Sequence, residues 1–168
     1  MYRVKQFVWA LTGSFKKIDM SFLKRYLNED EINIFKKLKL SEQHHCIRVC
    51  MDSINIAKSR FKDKEINYYR LGKAALLHDV GKIECPLNVI EKSIIVVLDR
   101  ISSGSLNTYT KFRKVDSYYN HPKNSVKILS ELKKYDKEFL DTIKFHHSKK
   151  IDDENIYLNI IKHCDDLN

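Results

Sequence analysis

The sequence predicts an all-α fold, a single compact helical bundle, and three observations carry that prediction. Chain breakers are scarce: the 168 residues include 4 Gly and 2 Pro, too few to punctuate a series of short strands. Apolar residues recur at helical spacing in segment after segment. Ser, Asp or Asn stands ahead of several of these segments, where its side chain can accept from the first free helix amides. Hydrophobic residues make up 43% of the chain, enough for one domain with a real core.

Taken in order, Asp19 or Ser21 caps a helix to about Leu27, with Phe22, Leu23, Tyr26 and Leu27 on its apolar side and Asn28 as breaker. Ile32, Phe35 and Leu38 mark a second short helix. Ser41 is the expected N-cap of a longer helix to about Phe61, with the stripe Ile47, Cys50, Ile54, Ala57 and Phe61. Asn67 caps the next, in which Leu71, Ala74, Ala75 and Leu77 lead into His78-Asp79 and Gly81 suits the C-terminal turn. Lys82 to Asn88, with Pro86, reads as a loop. Asn88 to about Ile101 is very apolar. Its β-branched residues permit a strand, but its length and lack of alternation favour a buried helix. Ser102 to Asn120 is the least regular part. His121-Pro122 opens a helix with proline in the first turn and Val126, Ile128, Leu129 and Leu132 as core. Phe139 to His147 and Ile156 to Leu167 are the last two helices. Asp152, Asp153 and Glu154 start the latter, where acids favour the positive end of the helix dipole. Residues 1–40 form a helical extension, and 41–168 carry the chemistry. Tyr2, Phe7, Trp9, Leu11 and Phe15 of the extension pack over the domain, a homodimer contact being the alternative.

Composition narrows the function classes. The formal charge is +9, but Lys is dispersed along the chain and no basic block exceeds two residues. Lys without clustered Arg or interleaved aromatics gives nucleic-acid binding little support. General solubility is the plain reading of the charge, and a basic rim that attracts phosphorylated substrates is the functional one. Cysteines at 46, 50, 85 and 164 contain no CxxC, against a zinc ribbon or a disulfide-stapled secreted fold. Cys46 and Cys50, four apart on one helix, read as reduced, buried apolar residues. The five-residue apolar run at Phe7–Leu11 is too short for a signal sequence or a membrane span, so a cytoplasmic protein with no membrane partner is expected.

The chemistry lies in the histidines. His45, His78 (followed by Asp79), His121 and the pair His146-His147, with Asp165, are ligand types that iron, manganese and zinc use. Adjacent helical residues point about 100° apart, so His78 and Asp79 do not readily chelate one ion alone. A carboxylate can bridge two, which suits a binuclear site with Asp79 in the middle. His45 and Asp165 can complete the first shell, and His121, His146 and His147 can supply the second. His146 and His147 diverge, so one can ligate while the other faces substrate.

Gln43-His44-His45-Cys46-Ile47-Arg48-Val49 resembles the first-histidine helix of the HD-domain metal-dependent phosphohydrolases. Ala74-Ala75-Leu76-Leu77-His78-Asp79-Val80-Gly81-Lys82 is similar to their name-giving motif. Asn120-His121-Pro122, Phe145-His146-His147 and Ile161-Lys162-His163-Cys164-Asp165 resemble the later ligand segments in order. The resemblance covers about residues 40 to 168, and its His-Pro and His-His elements are similar to the branch that contains cyclic-dinucleotide phosphodiesterases. It implies an all-α fold and two divalent transition-metal ions, iron or manganese. One ion would take His45, His78, Asp79 and Asp165, and the other Asp79, His121, His146 and His147. The register set by Ile47-Arg48-Val49 prefers His45 to His44, and the small Cys164 prefers Asp165 to Asp166.

Three positions depart from the pattern. No Gly-Tyr-Pro follows His146-His147, where the chain reads Ser148-Lys149-Lys150-Ile151, against a cyclic-dinucleotide substrate by simple analogy. Position 41 is Ser and the acid falls at Glu42, against a third metal held one turn before His45. Ser125 stands at the usual glycine position after His121-Pro122.

The expected function is metal-dependent hydrolysis of a nucleotide or other small phosphate ester. A hydroxide bridging the ions, its pKa lowered from about 15.7 to about 7, would attack phosphorus in line with the leaving oxygen. Asp79 or a histidine accepts a proton, and Lys82, one turn past Asp79, contacts a phosphate oxygen or steadies the nucleophile. Lys111, Arg113 and Lys114 are rim candidates, with a solvated loop the plainer reading. The alternatives are an inactive regulatory or nucleotide-binding module of the same fold and, behind it, a di-iron oxidase.

Overall fold

A computed structural model describes residues 17–103, 105–109, 111–148 and 154–168. The described residues form eight α-helices and two short 3-10 segments, with no strand among them. The helices are α1 (Met20–Lys24), α2 (Glu29–Phe35), α3 (Leu40–Arg60), α4 (Tyr68–Leu77), α5 (Val89–Ile101), α6 (Arg113–Ser130), α7 (Lys137–Phe145) and α8 (Ile156–Leu167). The 3-10 segments are Val80–Ile83 and Ser105–Thr108. No helix of the described residues is long and apolar enough to cross a membrane.

Local chemistry sets most boundaries. Asp19 caps α1 by accepting from the Ser21 and Phe22 amides. Asn28, expected to break the first helix, caps the second in a reciprocal capping box with Glu31. Asn67 accepts from the Arg70 amide at the head of α4, Asn88 forms a second capping box with Glu91, and Asp136 caps α7. Ser41 is not a cap: α3 begins one residue earlier, at Leu40, behind Lys39 and without a side-chain cap. The last helix starts at Ile156 on an Asn155 cap. Glu154 precedes it, while Asp152 and Asp153 lie outside the described residues, as do Tyr2, Phe7, Trp9, Leu11 and Phe15.

The longest helix, α3, runs through the middle of the bundle against α4 and α8. Its buried positions are Gln43, Cys46, Val49, Cys50, Ser53, Ile54 and Ala57. That face is rotated from the expected stripe, and Ile47 and Phe61 are only half-buried. The cause is that α3 is covered from two sides, which widens its apolar arc beyond one stripe. On α4, Leu71, Gly72 and every residue from Ala74 to Leu77 are buried. Leu23, Leu27, Ile32, Phe35 and Leu38, ahead of α3, belong to the same core as Val49, Leu76, Ile143 and Ile161. Each such side chain, fully buried, contributes roughly 1.5–3 kcal/mol. Cys46, Cys50 and Cys164 are buried free thiols.

Two further helices differ from expectation. α5 forms, but among its side chains that the structure describes only Ile95 is buried, while Ile90, Ile94, Val97, Leu98 and Ile101 face outward. Periodicity marked an apolar helix, and nothing local reports whether a neighbour covers it. α6 begins at Arg113, so His121-Pro122 lies inside it rather than at its start. Leu129 is buried there, whereas Val126, Ile128 and Leu132 are half-buried.

Candidate metal centre

Asp79 stands where α4 gives way to the 3-10 segment, with φ −104° and ψ 6°, in the bridge region that active-site residues often occupy. Its carboxylate divides the surrounding groups. Oδ2 lies 3.5 Å from His45 Nε2 and 3.3 Å from His78 Nε2. Oδ1 lies 3.1 Å from His121 Nε2 and 3.7 Å from His146 Nε2. Asp165 Oδ1 closes the first side, 2.9 Å from His45 Nε2 and 3.5 Å from His78 Nε2. His147 closes the second, with its Nε2 3.1 Å from His121 Nε2, and its Nδ1 reaches back to 3.5 Å from Asp165 Oδ2.

Three rings are oriented by one device. Nδ1 of His78 donates to Ala75 O at 2.8 Å, Nδ1 of His121 to Tyr118 O at 2.8 Å, and Nδ1 of His146 to Ile143 O at 2.6 Å. A carbonyl only accepts, so each Nδ1 carries a proton, and each ring turns its Nε2 inward. His78 and His146 are the C-caps of α4 and α7, where the last carbonyls lack helical amide partners. His121 has no helix end beside it, and Pro122 supplies the equivalent. The proline has no N–H to give the carbonyl four residues back, which is that of Tyr118. That carbonyl takes the His121 ring instead.

His78 Nε2, His146 Nε2 and Asp79 Oδ1 are buried with no hydrogen-bond partner. Buried polar atoms are ordinarily paired, and ring nitrogens that converge on a carboxylate with no such partner suit a cation. Both carboxylates are also ionised, the form that binds a cation. Burial works against ionisation of Asp165, but the His45 and His78 rings beside it hold its carboxyl well below the usual range. Burial likewise opposes ionisation of Asp79, and the His78 and Lys82 charges outweigh it. Burial keeps the His121 pKa down against the pull of Asp79. Burial works against the charge of His78, but Asp79 beside it holds its pKa well above the usual imidazole range, so metal binding would release a proton from that ring.

Among the described residues, three overlapping groups could hold an ion: Asp79 with His121, His146 and His147; His45 with His78 and Asp79; and His78 with His146 and Asp165. The structure thus brings together all of His45, His78, Asp79, His121, His146, His147 and Asp165. Asp166 is exposed on α8, and His44 joins none of these groups.

Lys82 also reaches the centre. Its Nζ donates to Asp79 Oδ2 and, at 2.8 Å, to Glu42 Oε2. Burial works to raise the Glu42 pKa, yet the charges of Lys82 and then Lys92 hold it at about 2. Of the rim candidates, Arg113 lines a cleft of about 410 Å³ with Glu84, Cys85, Asp116, Ser117 and Asn124. Lys114 pairs with Glu91 at 2.7 Å, and Lys111 is exposed.

Sequence reasoning missed two supports. Ser125 Oγ accepts from the Gly81 amide and donates to His78 O, both at 2.8 Å, so the residue at the expected glycine position pins the motif to α6. Its signal was the spacing, one turn after His121 on the same face. Gly81 is not a left-handed turn residue, for its φ lies outside that region. It is there because α6 passes too close for a side chain: an added Cβ would sit 2.1 Å from His121 O and 2.5 Å from Ser125 N.

Fold and site together define an all-α protein whose buried His/Asp cluster could hold metal. The family model described as HD domain matches residues 43–168, and the chain belongs to that family, within the metal-dependent phosphohydrolase superfamily. No curated protein and no solved structure matches the chain.

Proposed function

We propose that the protein is a phosphohydrolase or phosphodiesterase that holds two divalent ions, iron or manganese, and cleaves a nucleotide or other small phosphate ester. One observation carries the reading: the Nε2 atoms of buried His78, His121 and His146 are aimed by helix carbonyls at the two oxygens of one carboxylate, and those of His78 and His146 have no hydrogen-bond partner there. His45, His78, Asp79 and Asp165 would hold one ion, and Asp79, His121, His146 and His147 the other. Bound there, such ions lower the pKa of water and neutralise charge on phosphoryl oxygens.

The remaining work belongs to the chain. Asp79 keeps both halves of the centre in register through its two oxygens. The Lys82 ammonium stands beside it to donate to a phosphoryl oxygen. His147, whose side chain is 48% exposed, is the member of the cluster open to an incoming substrate. It or Asp79 is the candidate proton acceptor. The basic chain favours approach of an anionic ester.

Elemental analysis of the purified, reconstituted protein tests the reading. Two ions per chain, lost in Asp79→Ala, are expected, followed by turnover in a screen of phosphate esters. One ion would reduce the centre to a mononuclear one. No metal after reconstitution would overturn the hydrolase reading in favour of a binding module.

A further inference from the structure

Two carboxylates share one ammonium beside the centre. Glu42 lies three residues before His45 on α3, and Lys82 lies three residues after Asp79, so each carries the face of its histidine or aspartate one turn further. The pair is largely withdrawn from water, with side chains 18% and 17% exposed, unlike the solvated ion pairs that count for little. A lysine ammonium has three N–H groups. One goes to Asp79 Oδ2 and one to Glu42 Oε2, which leaves one for a ligand.

The two anchors are not equivalent. Asp79 Oδ2 also faces His45 and His78, so a cation drawn to that oxygen repels the ammonium from it. Glu42 belongs to none of the three groups that could hold an ion. Both of its oxygens face ammonium groups, Oε2 that of Lys82 and Oε1 that of Lys92 at 3.8 Å. Its hold on Lys82 therefore survives metal binding. Lysine is otherwise a point charge on a flexible four-carbon stem, and fixing it in place costs conformational entropy.

We infer that Glu42 is a positioning residue, not a ligand: it holds the Lys82 ammonium at the centre so that its remaining N–H meets a phosphoryl oxygen of the substrate. The inference rests on the proposed function for the identity of that ligand.

The test is a double-mutant cycle on inorganic phosphate binding, measured by calorimetry on the full-length protein loaded with Mn²⁺. The variants are Glu42→Ala, Lys82→Ala and both together. Each of the three is expected to keep the wild-type metal content. Glu42→Ala is expected to weaken phosphate binding by roughly tenfold, as loss of one charged hydrogen bond does, and the double variant to bind no worse than Lys82→Ala. Glu42→Gln, which keeps an acceptor oxygen, should fall between Glu42→Ala and wild type, and it covers the case in which the alanine variant fails to fold.

Loss of metal in either Glu42 variant would make Glu42 a ligand and overturn the inference. So would an unchanged phosphate affinity in those variants, or a Glu42→Ala effect of the same size without Lys82. A wild-type protein that holds metal but not phosphate sinks this inference alone, whereas one that holds no metal sinks the proposed function and this inference with it.

Discussion

Replacing Gly81 by alanine adds one methyl group at the tightest contact between the His-Asp motif and α6. The new Cβ would stand 2.1 Å from His121 O and 2.5 Å from Ser125 N, where contacts under 3.0 Å essentially do not occur. Restoring even that limit at His121 O parts the two backbones by about 0.9 Å, the difference between those two distances. Main-chain atoms cannot rotate away as a side chain can. The cost therefore belongs at the top of the overpacking range, about 3 kcal/mol, or a fall of roughly 6–12 °C in Tm for a chain of this size. The same shift separates Asp79 from His121 and so should lower metal content.

Gly72→Ala is the control. There the Cβ meets the Tyr26 ring at 2.4 Å, but that ring is a half-buried side chain able to swing. Alanine also gains roughly 1 kcal/mol of helix propensity over glycine, so a net change within about 1 kcal/mol is expected. Calorimetric melts of both variants, with metal analysis, decide the matter. A Gly81→Ala protein that melts within about 2 °C of wild type and keeps its metal would refute the argument from close approach.

Two further outcomes follow from the packing and the charges. The Arg70 guanidinium and then the Phe139 amide hold the Asp136 carboxyl down at about 2, against an ordinary value of 3.8. A depressed carboxyl contributes stability above the ordinary value and loses it as pH falls to about 2. Asp136→Asn, which keeps a cap, should therefore be less stable by about 0.5–1 kcal/mol at pH 7, discounted because Asp136 is 61% exposed. Denaturation midpoints of the two proteins should converge between about pH 4 and pH 2, and a constant gap would remove the charge from the account. On α5, Ile95→Ala should cost about 2–3 kcal/mol and Ile101→Ala, 76% exposed in wild type, under about 0.5 kcal/mol. Equal losses in urea unfolding would mean that the outer face is covered.

What could be read from the chain was whatever neighbours in sequence decide. The Asp19 and Asn67 caps depend on amides two or three residues away, and helical periodicity within 10 to 21 residues located α3, α4 and α8. The metal-type residues were legible because His78-Asp79 and His146-His147 are contiguous. Their family context ordered the rest, and the fold brings all seven within one cluster.

The remainder depended on which helices lie side by side. Pro122 reads as a helix start from its propensity, yet α6 tolerates it in the interior because the carbonyl it leaves open is taken by His121. An apolar run such as 89–101 is the same string whether a neighbour covers it or not, so the exposure of α5 could not be read from it. Gly81 looks like any glycine after a helix until α6 is laid across it. Glu42 and Lys82 are 40 residues apart, and no local pattern pairs them. The sequence by itself determined the helices and the kinds of ligand. Only the tertiary structure decided register between helices, because a contact between distant segments is a property of both and is written in neither.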